Sequence, residues 1–377
     1  MRLQVFHPIY AREAAISHIC MSLCAGMEEG GLDVRMVVPG QDCTLRRSFV
    51  QSPLSTSVSR LAYRFLSEKR VVSLVARSFL RSLQSGDVVY LWPGTPRWVY
   101  EAVKDKGLVL VMERINTHRR TAKAILDDAY ARLGLHPSHQ FTEEAIADED
   151  AKLALADLVF SPSPAVTASL VRAGIEVTKI IQSSYGWDPV RLGARAQSPR
   201  VDGPFTALFM GRVCVRKGAH HLLEAWAGAG VAGKLVMFGR CDEEIERHCR
   251  TLLNRKDVDA RPYTSDVASA YASADAFIFP TLEEGSPLVV YEAMASWLPI
   301  VTTPMGGGEL VRNEQDGFVV APHDVGQLIE AIRRAASDRK ALDQMRRSAR
   351  DRAQDFTWSS VGQRRANLLR GVLALPA

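Results

Sequence analysis

Short apolar segments alternate with segments of helical period along the chain, and this alternation limits the fold most strongly. Before residue 185 it predicts strands at 3–9, 34–38, 87–92, 108–112 and 157–160, and helices at 14–29, 58–83, 97–104, 119–133, 143–155 and 165–173. After residue 204 it predicts strands at 206–210, 234–238, 276–280, 300–303 and 318–321, and helices at 219–227, 243–253, 267–273, 325–337, 341–352 and 361–373. Such alternation predicts α/β domains, each with a parallel sheet covered by helices on both faces.

The alternation is interrupted once, between residues 185 and 204, where three glycines and three prolines replace the apolar periodicity. That composition is typical of a linker. A chain of 377 residues is also longer than one ordinary domain. We therefore predict a doubly wound, Rossmann-like domain at 1–188, a linker at 189–204 and a second such domain at 205–357, which face each other across a ligand-binding cleft.

The stretch from residue 281 to residue 316 places polar side chains at one edge of the second predicted sheet. Glu284 follows a buried strand. Ser286 and Pro287 predict the N-cap and first position of a helix that carries Glu292. The next strand runs into three glycines and an acidic residue: Gly306, Gly307, Gly308 and Glu309. Ligands of parallel sheets bind at the carboxyl ends of the strands, and a helix N-terminus there favours an anion such as phosphate.

The first strand of the second domain ends in a group of basic residues. Arg212 and Lys217 fall at the strand end and at the start of the next helix. An arginine fork and a lysine point charge at such an edge suit a diphosphate. Arg216 competes with Lys217 for this role, and a solvent-facing loop is the alternative for all three. The presence of Glu284 and Glu292 at the same predicted edge favours a binding site.

The net charge of +5 is unevenly distributed, because basic residues crowd the segment 46–81. Only Asp42 and Glu68 oppose them between residues 41 and 84. The basic residues are Arg46, Arg47, Arg60, Arg64, Lys69, Arg70, Arg77 and Arg81. A solvated helix face and a patch for an anionic membrane surface both account for this pattern, since apolar residues are interleaved with the bases. No nucleic-acid-binding motif accompanies the bases, so nucleic acid is the weaker alternative.

Membrane-spanning, secreted and metal-binding classes find little support in the sequence. No uninterrupted apolar run of about 18 residues predicts a transmembrane helix. No apolar signal core follows Met1, so we expect a cytoplasmic protein, soluble or peripheral on the inner face of the membrane. The six cysteines include no CxxC pair, and we expect them to be reduced. Cys241, His248 and Cys249 lack the spacing of a zinc site, so we predict no metal.

The second half of the chain resembles the nucleotide-sugar domain of retaining glycosyltransferases with the GT-B fold, in the group-1 family (glycosyltransferase family 4). That family has an Arg and a Lys five residues apart after the first strand of this domain, as Arg212 and Lys217 are. It also has a Glu–seven residues–Glu motif, which EGSPLVVYE matches. The resemblance implies that Arg212 and Lys217 hold the donor diphosphate. It implies further that Glu292 takes the ribose and that Glu284 lies by the transferred sugar. The remaining donor-binding residues that it implies are Ser286, Gly306, Gly307, Gly308 and Glu309.

The resemblance extends into the first domain. The segment ERINTHRRTAKAILDDAYARLG, residues 113–134, is similar to one in bacterial members that carries a His reaching the transferred sugar. His118 is the matching position, and a helix N-terminal His without a ligand is the alternative. Phe356-Thr357-Trp358 resembles the point where the chain of family members crosses back. The last helix, within 358–377, should therefore pack on the first domain.

One loop departs from the family pattern. Many members have a Gly-Gly loop after the first strand, whereas this loop reads HPIYAREAAISH and contains no glycine. Tyr10 and Arg12 stand there, on the side where the acceptor is expected. Arg12 is a candidate contact for an anionic acceptor or for the donor phosphate.

The resemblance implies a retaining enzyme without a cofactor. Because Arg212, Lys217 and the helix N-terminus at Ser286 would stabilise the leaving diphosphate, we predict that it needs no metal. It would transfer a sugar from a UDP- or GDP-linked donor to a glycan or lipid-linked acceptor, in bacterial surface polysaccharide or glycolipid synthesis. Retention follows when the acceptor hydroxyl attacks on the face that the diphosphate leaves. A non-catalytic GT-B partner subunit and a nucleotide-sugar epimerase of the same fold are the alternatives. A nicotinamide dehydrogenase is excluded, because neither half has GxGxxG after its first strand.

Overall fold

The computed structural model describes residues 1–42, 45, 47–192 and 203–374. The described strands of the first domain are β1 Arg2–Phe6, β2 Asp33–Val37, β3 Val50–Gln51, β4 Val88–Leu91, β5 Val109–Glu113, β6 Leu158–Ser161 and β7 Ile180–Gln182. The helices are α1 Ala15–Glu29, α2 Thr56–Phe65, α3 Glu68–Ser82, α4 Arg97–Asp105, α5 Arg119–Arg132, α6 Glu143–Leu155, α7 Pro164–Arg172 and the short α8 Pro189–Leu192. The strands form one parallel sheet in the order β3-β2-β1-β4-β5-β6-β7.

The second domain repeats this architecture. Its described strands are β8 Phe205–Met210, β9 Gly233–Phe238, β10 Val258–Arg261, β11 Ala276–Phe279, β12 Ile300–Thr302 and β13 Gly317–Val319. The helices are α9 Ala219–Ala229, α10 Glu243–His248, α11 Arg250–Leu253, α12 Val267–Ala272, α13 Leu288–Ala295, α14 Pro304–Gly307, α15 Val325–Ser337, α16 Arg339–Gln354 and α17 Trp358–Ala374. The strands form a parallel sheet in the order β10-β9-β8-β11-β12-β13.

The central strands are apolar along their whole length because both faces of each sheet are covered. Every residue of β4, β8 and β11 is buried. Parallel strands require crossover connections, and helices supply them between successive strands except from β2 to β3, where the structure describes no helix. The prediction of two doubly wound α/β domains is therefore confirmed.

The last helix crosses back to the first domain, as predicted. α17 packs along α1, and the two helices touch backbone to backbone. A Cβ atom added to Gly362 would lie 2.4 Å from the Cα atom of Gly26. Glycine at both positions therefore permits this contact, which a larger side chain would push apart.

A buried charge pair fastens this crossing. Arg365 of α17 and Glu113 at the end of β5 are both fully buried, and Arg365 Nη1 lies 2.8 Å from Glu113 Oε2. The Tyr185 hydroxyl donates to the other carboxylate oxygen at 2.9 Å, and Arg365 Nε donates to Ser183 Oγ at 3.0 Å. These hydrogen bonds satisfy both charges, which is what burial of an ion pair requires.

The predicted helix at 58–83 is wrong as a single element. The chain is extended at Leu66, with φ −117° and ψ 150°, and this residue separates α2 from α3. The break allows α3 to bury Val72, Val75 and Phe79 while α2 keeps apolar residues in solvent. None of the described helices is long and apolar enough to cross a membrane.

Three strands, β3, β7 and β10, were not predicted, and all three lie at sheet edges. Their residues are partly exposed and lack the continuous apolar run of a central strand. The predicted linker at 189–204 begins with α8, and its residues 193–202 lie outside the described part of the chain.

The contact between α1 and α17 predicts opposite effects for two glycine substitutions on one helix. Gly362→Ala should destabilise the protein by about 1–3 kcal/mol, because its Cβ would overlap the backbone of Gly26. Gly371→Ala, which has no neighbouring atom within 4 Å, should stabilise it by about 1 kcal/mol through helix propensity. Chemical denaturation measures both. Equal midpoints for wild type and Gly362→Ala would contradict the close helix contact.

Candidate active site

The loops that follow the strands of both sheets meet between the domains. Thr117, after β5, donates a hydrogen bond to Glu283, after β11, at 2.7 Å. Gln182, at the end of β7, donates to Glu309, after β12, at 3.2 Å. The carboxyl ends of the two sheets therefore face each other, and this is where ligands of such sheets bind.

Two cations and two carboxylates form an ionic cluster at this junction: Arg216, Lys217, Glu283 and Glu284. Lys217 makes an ion pair with Glu284, and Arg216 Nη2 lies 3.5 Å from Glu284 Oε2. Arg216 Nε lies 3.5 Å from Glu283 Oε2. Burial, and then Arg216, lower the pKa of Lys217 to about 7, whereas contact with Glu284 favours its charged form. The four charges cancel, so an anion must displace a carboxylate from a cation in order to bind.

Gly218 brings Lys217 to this position. It follows the 3₁₀ turn Val215–Lys217 and has a φ of 65°, in the region that favours glycine. A Cβ atom there would also lie 2.0 Å from the carbonyl oxygen of Pro280. Both restrictions select glycine at this position. The close contact with Pro280 keeps the turn beside the end of β11.

Arg212 points away from the ionic cluster towards α10. Its Nε lies 2.5 Å from Asp242 Oδ1, and 60% of its side chain is exposed. The hydrogen bond to Asp242 raises the pKa of Arg212. Arg216, the alternative to Lys217 for the diphosphate, is the arginine that lies in the ionic cluster. The assignment of Arg212 to a diphosphate stays a prediction and requires its side chain to leave Asp242.

Glu292 is buried on α13 and holds two partners. The Tyr271 hydroxyl donates to its Oε2 at 3.0 Å, and Arg191 of α8 lies 3.8 Å from its Oε1. Burial raises the pKa of Glu292. A carboxylate that accepts a hydroxyl hydrogen bond at this position suits ribose hydroxyls, and the binding of ribose by Glu292 stays a prediction.

Ser286 is not the N-cap of α13, contrary to the prediction. The helix begins at Leu288 and Pro287 occupies the N-cap position. The Ser286 hydroxyl lies 2.7 Å from the Tyr291 hydroxyl and is therefore engaged away from the helix N-terminus. Ser286 lines a cavity between the domains, and its contact with the donor stays a prediction.

This interdomain cavity has a volume of about 430 Å³. It brings together several predicted donor residues with one arginine each of α16 and α17: Ser286, Gly306, Gly307, Gly308, Glu309, Arg352 and Arg364. The glycines do not form the predicted loop. The first two end the short helix α14, where a Cβ on Gly306 would lie 2.1 Å from Thr302 Oγ1. Close packing against β12 thus explains Gly306, independently of any ligand.

His118 makes its contacts within the first domain. It is the N-cap of α5, and its Nδ1 accepts a hydrogen bond from the Arg120 backbone at 3.2 Å. Its Nε2 lies 2.8 Å from Asp150 Oδ1 and 3.4 Å from Glu149 Oε2. The ring is fully buried and both nitrogens are occupied. The predicted role at the transferred sugar would require this ring to turn out of its contacts.

The first-domain loop that departs from the family pattern leads into α1 through two alanines. Tyr10 donates from its hydroxyl to the Gln41 carbonyl at 2.7 Å, and Arg12 is exposed. Ala14 and Ala15 follow at the start of α1, and Ala15 has a φ of 49°. A left-handed alanine is strained, and such strain concentrates at functional sites. The backbone at Ala15 therefore has a φ that normally selects glycine.

Several partners of the site residues carry no sequence signal. Asp242 for Arg212, and both Tyr271 and Arg191 for Glu292, are distant in sequence and lie in no shared motif. Of the residues that sequence reasoning missed, Thr117 is the one that the sequence best indicates, because it precedes His118 in the segment that resembles the family.

Two of the cysteines considered for a metal site, Cys241 and Cys249, lie at either end of α10. Burial raises the pKa of the Cys241 and Cys249 thiols to about 11, so both stay protonated at neutral pH. Within the described ranges, no group of three or more His, Cys, Asp or Glu side chains is arranged to hold a metal ion.

Comparisons with known proteins bear on these features. Residues 204–338 match the model of the family described as glycosyl transferases group 1. The chain is 33% identical over 187 residues to glycogen synthase of Mycobacterium tuberculosis, covering 47% of this chain and 44% of that protein. It is 33% identical over 120 residues to UDP-Gal:alpha-D-GlcNAc-diphosphoundecaprenol alpha-1,3-galactosyltransferase of Escherichia coli, covering 31% of each. The chain thus spans less than half the length of these curated relatives.

The whole structure resembles Alr3699/HepE of Anabaena, crystallised with UDP and glucose. The TM-score is 0.67 at 17% identity, over 98% of this chain and 100% of that chain. Two facing Rossmann-like domains with a C-terminal helix that crosses back define a GT-B protein. The match of residues 204–338 to the group 1 glycosyl transferase model confirms, for the second domain, the resemblance read from its motifs.

The strained alanine gives a prediction for the first-domain loop. Ala15→Gly should stabilise the protein by about 0.5–1 kcal/mol, because relief of the left-handed strain exceeds the added entropy of the unfolded chain. Ala14→Gly is the matched control, since the φ of Ala14 is −149° and no strain is relieved there. Denaturation midpoints compare the two. Identical shifts for both variants would show that Ala15 is not strained.

Proposed function

We propose that this protein is a retaining glycosyltransferase that uses a nucleoside diphosphate sugar. The observation that carries the proposal is the meeting of Lys217, Arg216 and Glu284 at the junction of the two sheets. A diphosphate leaving group needs cations to stabilise its developing charge, and a sugar needs a hydrogen-bond acceptor for its hydroxyls. The second domain, 205–357, would hold the donor, and the first domain, 1–188, would face the acceptor.

Donor binding then rearranges the ionic cluster. The diphosphate takes Lys217 and Arg216, joined by Arg212 if its side chain leaves Asp242, and Glu284 turns to a sugar hydroxyl. Glu292 exchanges the Tyr271 hydroxyl for those of the ribose. Protein cations supply the charge stabilisation, so we propose that the reaction needs no metal. The UDP bound by Alr3699/HepE supports a UDP-linked donor in particular, with a GDP-linked donor as the second choice.

Retention follows from attack on the face that the diphosphate leaves. The acceptor oxygen forms its bond to the anomeric carbon as the sugar–phosphate bond breaks, and the acceptor proton passes to the departing phosphate. Closure of the two domains excludes water from this step and so limits donor hydrolysis. His118 would act on the acceptor side of the sugar only after release from Asp150.

Two substitutions in the second domain test the donor site. Lys217→Ala and Glu292→Ala should each lower release of UDP from UDP-sugars by about 100-fold or more while the protein stays folded. Lys234→Ala removes a half-exposed cation of β9 and should have no effect. Full turnover in either site variant would refute the donor assignment. Conversion of the nucleotide sugar without UDP release would instead indicate an epimerase, and absence of both activities a non-catalytic subunit.

We further propose that α2 holds the enzyme at an anionic membrane surface, where a lipid-linked acceptor resides. Val58, Leu61 and Phe65 are 49%, 57% and 73% exposed and recur at helical spacing, with Arg60 and Arg64 between them. An exposed apolar stripe bordered by arginines is typical of an interfacial helix. The lipid diphosphate in the name of the E. coli relative supports an acceptor of this class.

Vesicle co-sedimentation tests the membrane proposal. The protein should bind vesicles with anionic lipid, bind neutral vesicles less, and dissociate in high salt. Phe65→Ser should weaken binding by about tenfold or more, since one buried Phe contributes about 1.5–3 kcal/mol. Val177→Ser is the control, because Val177 is 66% exposed but lies outside α2. Equal partitioning onto neutral and anionic vesicles would oppose the proposal.

A further inference from the structure

One hydrogen bond joins the donor loop to the first domain in the interior of the protein. The Thr117 hydroxyl donates to Glu283 Oε1 at 2.7 Å, and both residues are buried, with 1% and 0% of their surface exposed. Thr117 follows β5 of the first domain, whereas Glu283 directly precedes Glu284 in the second. Within the described part of the chain, Thr117 is the side chain that donates to Glu283, whose Oε2 accepts no hydrogen bond.

A backbone contact lies beside this hydrogen bond. A Cβ atom on Gly285 would lie only 1.7 Å from the carbonyl oxygen of Ile115. Gly285 has no positive φ, so its backbone conformation does not require glycine. The close approach of the first domain does require it. We call the contacts Thr117–Glu283 and Ile115–Gly285 the interdomain latch.

The interdomain latch determines which side chain binds the buried carboxylate of Glu283. A buried carboxylate that loses its hydrogen-bond donor must find another partner, because an unsatisfied buried charge is costly. The nearest cation to Glu283 is Arg216, whose Nε already lies 3.5 Å from Oε2. Without Thr117, Glu283 would therefore hydrogen-bond to Arg216, which it now meets only as an ion pair at 3.5 Å. A donor diphosphate would then have to break this hydrogen bond as well as the ion pairs that already neutralise the cluster.

We propose that Thr117 is a positioning residue that couples domain closure to the donor site. When the domains close, its hydroxyl holds Glu283 short of a hydrogen bond to Arg216, so the donor diphosphate has only an ion pair to displace there. When they open, Glu283 hydrogen-bonds to Arg216 and the affinity for a diphosphate falls. This inference rests on the proposed function of the ionic cluster, but the latch itself is a property of the two domains.

Affinity for UDP and overall dimensions test the coupling together. Thr117→Val, which keeps the shape and removes the donor, should weaken UDP binding by about tenfold or more in calorimetry. The radius of gyration of the ligand-free protein should rise in X-ray scattering. Thr117→Ser restores the hydroxyl and should restore both quantities. Gly285→Ala, which blocks the approach of Ile115 without changing a charge, should open the domains in the same way.

A double substitution separates coupling from simple packing. Glu283→Gln removes the charge that competes for Arg216, so adding Thr117→Val should then change UDP affinity by less than twofold. A loss of the same size in both backgrounds would overturn the proposal, as would an unchanged radius of gyration in Thr117→Val and Gly285→Ala. A protein that binds no UDP but opens on either substitution would contradict the proposed function and still support the latch.

Discussion

The buried pair of Arg365 and Glu113 determines how the two domains can face each other. Arg365 belongs to α17, which follows the second domain in sequence, and Glu113 ends β5 of the first. A buried charge deprived of its partner costs about 3–5 kcal/mol, so α17 is held firmly in the first domain. The loop after Glu113 carries Thr117 and His118. The pair thereby holds this loop, which lies on the first-domain side of the cleft, in a fixed position relative to α17.

The cations assigned to the donor are already neutralised in the free protein. Lys217 contacts Glu284, Arg216 lies between Glu283 and Glu284, and Arg212 pairs with Asp242. Pairing is the expected solution in a partly buried cleft, because a lone charge there would lose its solvation without compensation. A donor must then compete with carboxylates for its cations. In the proposed function, binding of the diphosphate and release of Glu284 to the sugar are consequently one event.

The sequence predicts most of the fold because the central strands and their helices have a clear apolar period. It misses β3, β7 and β10, since edge strands are partly exposed, and it joins α2 to α3, since the break at Leu66 depends on tertiary packing. Within the candidate site, sequence spacing assigns Lys217 and Glu284 to the same site, and the two side chains form an ion pair. Spacing could not show that the hydroxyl of Ser286 bonds to Tyr291, or that the ring of His118 faces Asp150. Those outcomes depend on neighbours from other elements.

The likeness to group 1 glycosyltransferases is uneven, and the proposed chemistry accounts for this. The family match covers residues 204–338, which lie in the second domain. A nucleoside diphosphate presents the same anion whatever the acceptor is, so the groups that bind it can keep one spacing. The acceptor side has no such common chemistry. There the family's glycines are absent, yet Ala15 keeps a left-handed φ of 49° at an energetic cost. Such strain persists only where the surrounding structure enforces it, so the shape of this loop is set by its neighbours and not by the residues it contains.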